Sequence, residues 1–160
     1  MDDVTFVAST IAQVLIIFNL FLGLSRLKQL PIFFKWFNAF LVLSIVIQIA
    51  ARILWWQSMN NLYLLHIYTL FEFTFLSLFY SQILGKYTFI QKNHLYFILG
   101  ISILIVLNTI FIQPLKIPNS YAKTLTQVIY IGYSVAYFFH EAKKKKKNAQ
   151  ERLLTLINSA

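Results

Sequence analysis

Apolar residues fill five long stretches of this 160-residue chain, and short polar links separate them. A membrane-spanning helix needs about 17–25 mainly apolar residues, and all five stretches fall within that range. β-Barrel strands would alternate apolar and polar positions instead. The pattern therefore predicts an all-α polytopic transmembrane bundle of five spanning helices: Val4 to Leu24, Phe33 to Trp55, Leu62 to Leu84, Leu95 to Ile112 and Tyr121 to Phe139.

The pattern divides the chain into two parts. Residues 1–140 form the predicted five-helix transmembrane domain, and residues 141–160 form a basic cytoplasmic tail. Within that tail, Glu151 to Ile157 has the composition of a short helix.

Composition excludes an ordinary soluble domain. The chain is 59% hydrophobic and 12% charged, against about 45–50% and about 25% in soluble proteins. Because it contains no cysteine, disulfides, thiolate metal sites and cysteine nucleophiles are also excluded.

The positive charges predict the orientation, since short loops rich in Lys and Arg remain in the cytoplasm. With the N-terminus outside and the C-terminus in the cytoplasm, only Arg52, Lys116 and Lys123 lie on the outer side. We expect a multi-pass protein of a cell membrane, and specifically of a bacterial inner membrane. The predicted inner side holds the remaining cations: Arg26, Lys28, Lys35, Lys86, Lys92, Lys143 to Lys147 and Arg152.

A run of five lysines directly follows the last predicted span. Lysines in this position attract anionic lipids of the cytoplasmic leaflet, and they also act as a topology anchor. This lysine run is held against lipid and has no helix or interleaved aromatic residues that would contact a nucleic-acid groove, so the sequence does not favour nucleic-acid binding. The predicted anionic-lipid contacts are Lys143, Lys144, Lys145, Lys146 and Lys147.

Glu72 is the acidic residue inside the predicted spans, about 15 Å below the outer end of the third helix. A carboxylate at that depth costs several kcal/mol, so such residues usually face a partner or a path. On the second helix, Gln48 lies at nearly the same depth and Arg52 closer to the outer interface. We therefore expect Glu72 to hydrogen-bond Gln48, with Arg52 as an outer, partly hydrated counter-charge.

Three further polar residues complete this predicted intramembrane site. Asn61 and Tyr68 share the helix face of Glu72, whereas His66 points about 120° away. A role limited to aligning two packed helices is the competing interpretation of the whole set.

The fifth predicted helix carries Tyr130, Tyr133 and Tyr137 on one face, between Thr126 and His140. Their hydroxyls either line a polar crevice or bond to neighbouring helices for structural reasons.

Motifs of catalysis are missing from the sequence, and its few acidic residues do not form a pair in the spans. We expect no enzyme activity, metal or cofactor. The first hypothesis is a non-enzymatic sensing or interaction module, which signals through its tail, a membrane-protein partner or a homo-oligomer. A small oligomeric channel or transporter using Glu72 is the alternative, and a membrane-embedded lipid-modifying enzyme is the third.

Overall fold

The computed structural model describes residues 3–84 and 89–158, with side chains for residues 11, 13–84, 93–139 and 141–142. It is 85% helical and the described residues contain no strand, so the all-helical prediction is confirmed. The helices are α1 (Asp3–Ser25), α2 (Ile32–Trp56), α3 (Leu62–Leu84), α4 (Phe89–Leu107) and α5 (Ser120–Asn158).

Three of the described helical segments are long and apolar enough to cross a membrane: Ile32–Trp56, Leu62–Leu84 and Asn93–Ile112. In α1, the described apolar part is the shorter segment Gln13–Ser25. Large apolar side chains such as Phe18, Val46 and Phe111 are exposed on the outer faces of these helices. Apolar surface of that extent is suited to lipid.

Helix α3 is central, because it packs against α2, α4 and α5, whereas α1 packs on α2. A cluster of fully packed apolar side chains joins α3, α4 and α5. It consists of Phe73, Ile98, Ile105 and Ala122, each at most 3% exposed. Polar side chains in α3 therefore face the interior between neighbouring helices.

The turn between α2 and α3 is a Schellman motif. The Met59 amide donates to the Leu54 carbonyl at 2.9 Å, and the Ser58 amide donates to the Trp55 carbonyl at 3.0 Å. This geometry requires a left-handed residue after the helix, a position usually taken by glycine. Ser58 occupies it with φ of 54°.

The end of α4 widens into a π-helical turn, Asn108–Ile112, closed by a 2.7 Å bond from the Gln113 amide to the Asn108 carbonyl. Its first residue, Asn108, is buried, and so are Gln113 and Asn119 in the connection to α5. The α4–α5 connection is thus anchored to the bundle by buried amides, while residues 114–118 stay exposed.

Helix α5 runs unbroken from Ser120 to Asn158, past the predicted end at Phe139. Residues 141–158 continue this helix, which differs from the predicted separate tail with a short helix. Lysine and alanine favour helix strongly, so the lysine run ends the apolar pattern while the helix continues. The side chains of Lys143 to Lys147 lie outside the described ones.

Candidate functional site

An ion pair inside the bundle joins Glu72 of α3 to Lys123 of α5. The Lys123 Nζ lies 2.5 Å from the Glu72 Oε2. The glutamate side chain is 10% exposed and the lysine side chain 35% exposed. The anion is therefore buried, while part of the cation reaches the protein surface.

The anchored α4–α5 connection explains how Lys123 meets a deeply placed carboxylate. The His66 Nε2 donates to the Ile117 carbonyl at 3.0 Å, which holds the connection about 6 Å below the start of α3. Helix α5 therefore begins at Ser120 below the start of α3, and Lys123 lies three residues further along the helix. The lysine stem is long enough to cover the remaining distance to Glu72.

Helix electrostatics alone disfavour Lys123. It lies in the first turn of α5, where the partial positive charge of a helix N-terminus repels a cation. The bond to Glu72 offsets this repulsion, so the pair serves the contact between α3 and α5.

Tyr68 connects the pair to α2. The Lys123 Nζ lies 5.2 Å from the Tyr68 ring centroid, within the range of a cation–π interaction. The Tyr68 hydroxyl is 3.4 Å from the Ser44 Oγ, and Ser44 donates its proton to the Phe40 carbonyl at 2.9 Å. Tyr68 is therefore the donor to Ser44.

The expected bond between Glu72 and Gln48 is wrong, because Lys123 occupies the carboxylate. Gln48 and Arg52 line a groove between α2 and α1 instead. The reason is rotational: each step of four residues turns a helix face by about 40°. Ser44 meets α3, but Arg52, eight residues later, has turned about 80° away towards α1.

His66 is buried with both ring nitrogens hydrogen-bonded. Its Nδ1 lies 2.9 Å from the Thr109 Oγ1 in the π-helical turn. Its Nε2 carries a proton, because the Ile117 carbonyl can only accept. His66 therefore ties α3 to the α4–α5 connection and does not meet Glu72 directly.

Buried amides link the polar groups of that connection, although the Asn119 Nδ2 has no partner in the described part of the chain. The Asn108 Nδ2 donates to the Asn119 Oδ1 at 3.0 Å and to the Gln113 Oε1 at 3.2 Å. Gln113 donates in turn to the Ser120 Oγ at 2.8 Å, and the Tyr121 amide donates to its Oε1 at 2.9 Å. This network fixes the start of α5, and hence the position of Lys123.

Asn61 is separate from the ion pair, since its Nδ2 donates to the Ala51 carbonyl at the end of α2 at 3.3 Å. The predicted site thus divides into parts. Tyr68 and Glu72 share one cluster, His66 and Asn61 hold connections, and Gln48 and Arg52 face α1.

The tyrosine seam of α5 also divides. Tyr133 is buried, and its hydroxyl lies 3.3 Å from the His94 Nε2. The buried Tyr130 hydroxyl has no partner in the described part of the chain, and Tyr137 is 37% exposed. The His140 side chain lies outside the described ones.

Sequence reasoning missed Lys123, which it placed at the outer interface, and the amide network around Asn108. A signal for Lys123 was present: it is a cation at the start of a helix, where the helix dipole disfavours it. Two of the buried amides adjoin prolines, Gln113 directly before Pro114 and Asn119 directly after Pro118, in a link that the apolar pattern treats as an ordinary loop.

Among the described residues, no three His, Asp or Glu side chains cluster as metal ligands. No known protein family, curated protein or solved structure matches this chain.

Proposed function

We propose that this protein is a non-enzymatic membrane module, which binds or senses a change within the membrane and transmits it to a partner through α5. The observation that carries the proposal is the Glu72–Lys123 pair, because it lies near one end of the unbroken helix Ser120–Asn158.

Length makes α5 suitable for transmission. Its 39 residues extend about 58 Å, about twice the hydrocarbon thickness of a bilayer. A rotation or shift at Lys123 would move the far end of such a helix without any hinge.

The pair has the energetics of a two-state contact. In a buried ion pair, the attraction between the charges is largely offset by the cost of desolvating both of them, so the pair adds little net stability. Removing one partner alone is costly, because the other charge stays buried without compensation. Lys123 is already about one-third exposed, so its ammonium has a second, hydrated position available towards the outer interface. A ligand that competes for either charge would release α5 from α3.

We also propose five spans, with the N-terminus outside and the C-terminus in the cytoplasm of a bacterial inner-membrane protein. The sorting of Lys and Arg to one side supports this orientation. Lys143 to Lys147 would then contact anionic lipids at the cytoplasmic face. Impermeant maleimide labelling of single cysteines tests the topology directly, because the chain has no cysteine of its own.

Spin-label distances test transmission. Nitroxides at Phe34 of α2 and Phe138 of α5 occupy exposed positions at the end of the bundle away from Lys123. We expect Lys123→Met to shift or broaden the distance distribution in lipid nanodiscs, whereas Lys116→Met, which removes the same charge from an exposed position, leaves it unchanged. An unaltered distribution in a folded Lys123→Met protein would exclude transmission from the pair.

The proposed partner is tested by cross-linking in the native membrane followed by purification. The proposal requires a stable partner or self-association, and a protein recovered only as an uncomplexed monomer would contradict it.

A channel or transporter is the second candidate, favoured by two buried hydroxyls without described partners. Ser77 on α3 and Tyr130 on α5 lie beyond Glu72, further from the outer end. Together with Glu72 they supply polar groups along one helix interface. Flux into proteoliposomes that Glu72→Gln abolishes would favour this candidate, and absence of any ion or solute uptake would remove it.

A further inference from the structure

Helices α1 and α2 enclose a groove of unusual composition. They approach closely where Gly23 faces Asn38 and leave a cavity of about 130 Å³ further along the pair. Polar side chains reach it from both helices, namely Gln13, Gln48 and Arg52. Its remaining walls, among the described residues, are isoleucines, including Ile16, Ile45 and Ile49.

These three polar side chains have no hydrogen bond or ion pair within the part of the chain that the structure describes. Amide and guanidinium groups in apolar surroundings are unfavourable until they find a partner. Glu72, the acidic side chain that α3 contributes, is bound to Lys123. Arg52 is exposed and has no partner among the described residues, so its guanidinium is available to a ligand.

The chemistry of the groove is that of an anionic amphiphile site. The guanidinium presents a planar fork of donors that matches phosphate oxygens, and each glutamine adds an amide donor. Arg52 lies four residues before the end of α2, about 6 Å below it, at a depth that headgroups reach. Below it, the isoleucines provide an apolar track for an acyl chain.

We propose that this groove binds one anionic phospholipid, with its phosphate on Arg52 and Gln48 and an acyl chain along Ile45 and Ile49. We favour a lipid over a helix of a second copy, because Arg52, Gln48 and Gln13 supply hydrogen-bond donors for phosphate oxygens. The site lies apart from α5, so it stands independently of the proposed signalling role.

Native mass spectrometry of the full chain tests the proposal by titration with phosphatidylglycerol or phosphatidylcholine. The wild-type protein is expected to retain one phosphatidylglycerol in preference to phosphatidylcholine. Arg52→Gln should lower that preference about tenfold, the effect of one charge-assisted contact. Arg26→Gln is the matched control, since it removes an exposed arginine from the α1–α2 turn, outside the groove.

Ile45→Trp provides a second test that leaves every charge in place. The larger side chain should fill the groove and reduce retention of the tightly bound lipid, whatever its headgroup. The proposal is overturned if wild type, Arg52→Gln and Arg26→Gln show the same headgroup preference. It is equally overturned if Ile45→Trp retains the lipid, or if Arg52→Gln abolishes a dimer rather than lipid binding.

Discussion

The carboxamide of Asn38 occupies the space that a β-carbon on Gly23 would need. An ideal β-carbon at Gly23 would overlap the Asn38 Oδ1 and lie 2.7 Å from its Nδ2. Asn38 is buried and donates to the Phe34 carbonyl at 2.9 Å, so its side chain is held in that position. The glycine thus sets how closely α1 approaches α2.

Gly23→Ala is expected to destabilise the protein by about 1–3 kcal/mol, as overpacking does in a close contact. Thermal unfolding in detergent, followed by circular dichroism, measures the effect. Gly132→Ala is the control, because no atom lies within 4 Å of its β-carbon, and it should stabilise α5 by up to about 1 kcal/mol through helix propensity. Adding Asn38→Ala to Gly23→Ala should recover part of the loss, and an equal loss in both proteins would contradict the close contact.

The Glu72–Lys123 pair predicts a non-additive pair of substitutions. Lys123→Met should cost about 3–5 kcal/mol, because it leaves a buried charge without its partner. The double variant Glu72→Leu/Lys123→Met should be close to wild type, since apolar residues of similar size remove the desolvation cost. Unfolding by titration with dodecyl sulfate gives both values, and additive losses would show that the two charges do not interact.

Ser58 predicts a stabilising substitution in the α2–α3 turn. A left-handed conformation costs a residue with a β-carbon about 1–2 kcal/mol, and glycine avoids this cost while losing some backbone entropy. Ser58→Gly should therefore raise stability by up to about 1 kcal/mol. Gln57→Gly is the neighbouring control, because Gln57 has an ordinary φ of −85° and should gain nothing. A lower unfolding temperature for Ser58→Gly would count against the Schellman geometry.

His66 predicts a coupling between α3 and the π-helical turn of α4. His66→Phe should cost about 1–3 kcal/mol, since the Thr109 hydroxyl and the Ile117 carbonyl lose their bonds to the imidazole. In a double-mutant cycle with Thr109→Val, the two substitutions should be less than additive. The same cycle between His66→Phe and Thr74→Val is the control, because Thr74 bonds only within its own helix.

The sequence alone determined the helical nature of the chain and the positions of its apolar segments. The predicted third helix, Leu62 to Leu84, has the same bounds in the structure, and the second differs by one residue at each end. Apolar runs of this length predict helix bounds well, because backbone N–H and C=O groups in lipid have no water to bond and must hydrogen-bond within their own helix. The lysine run misled the prediction for the fifth helix, since loss of hydropathy there does not coincide with loss of helix.

Only the tertiary structure decided which polar groups meet. The depth of a residue in the membrane can be counted from the end of its helix, and this count places Gln48 level with Glu72. The partner of a buried group also depends on which helices are neighbours and on how each is rotated. The bond between His66 and the α4–α5 connection brings Lys123 down to Glu72, while rotation along α2 turns Arg52 towards α1. Both depend on contacts between distant parts of the chain, which no local pattern records.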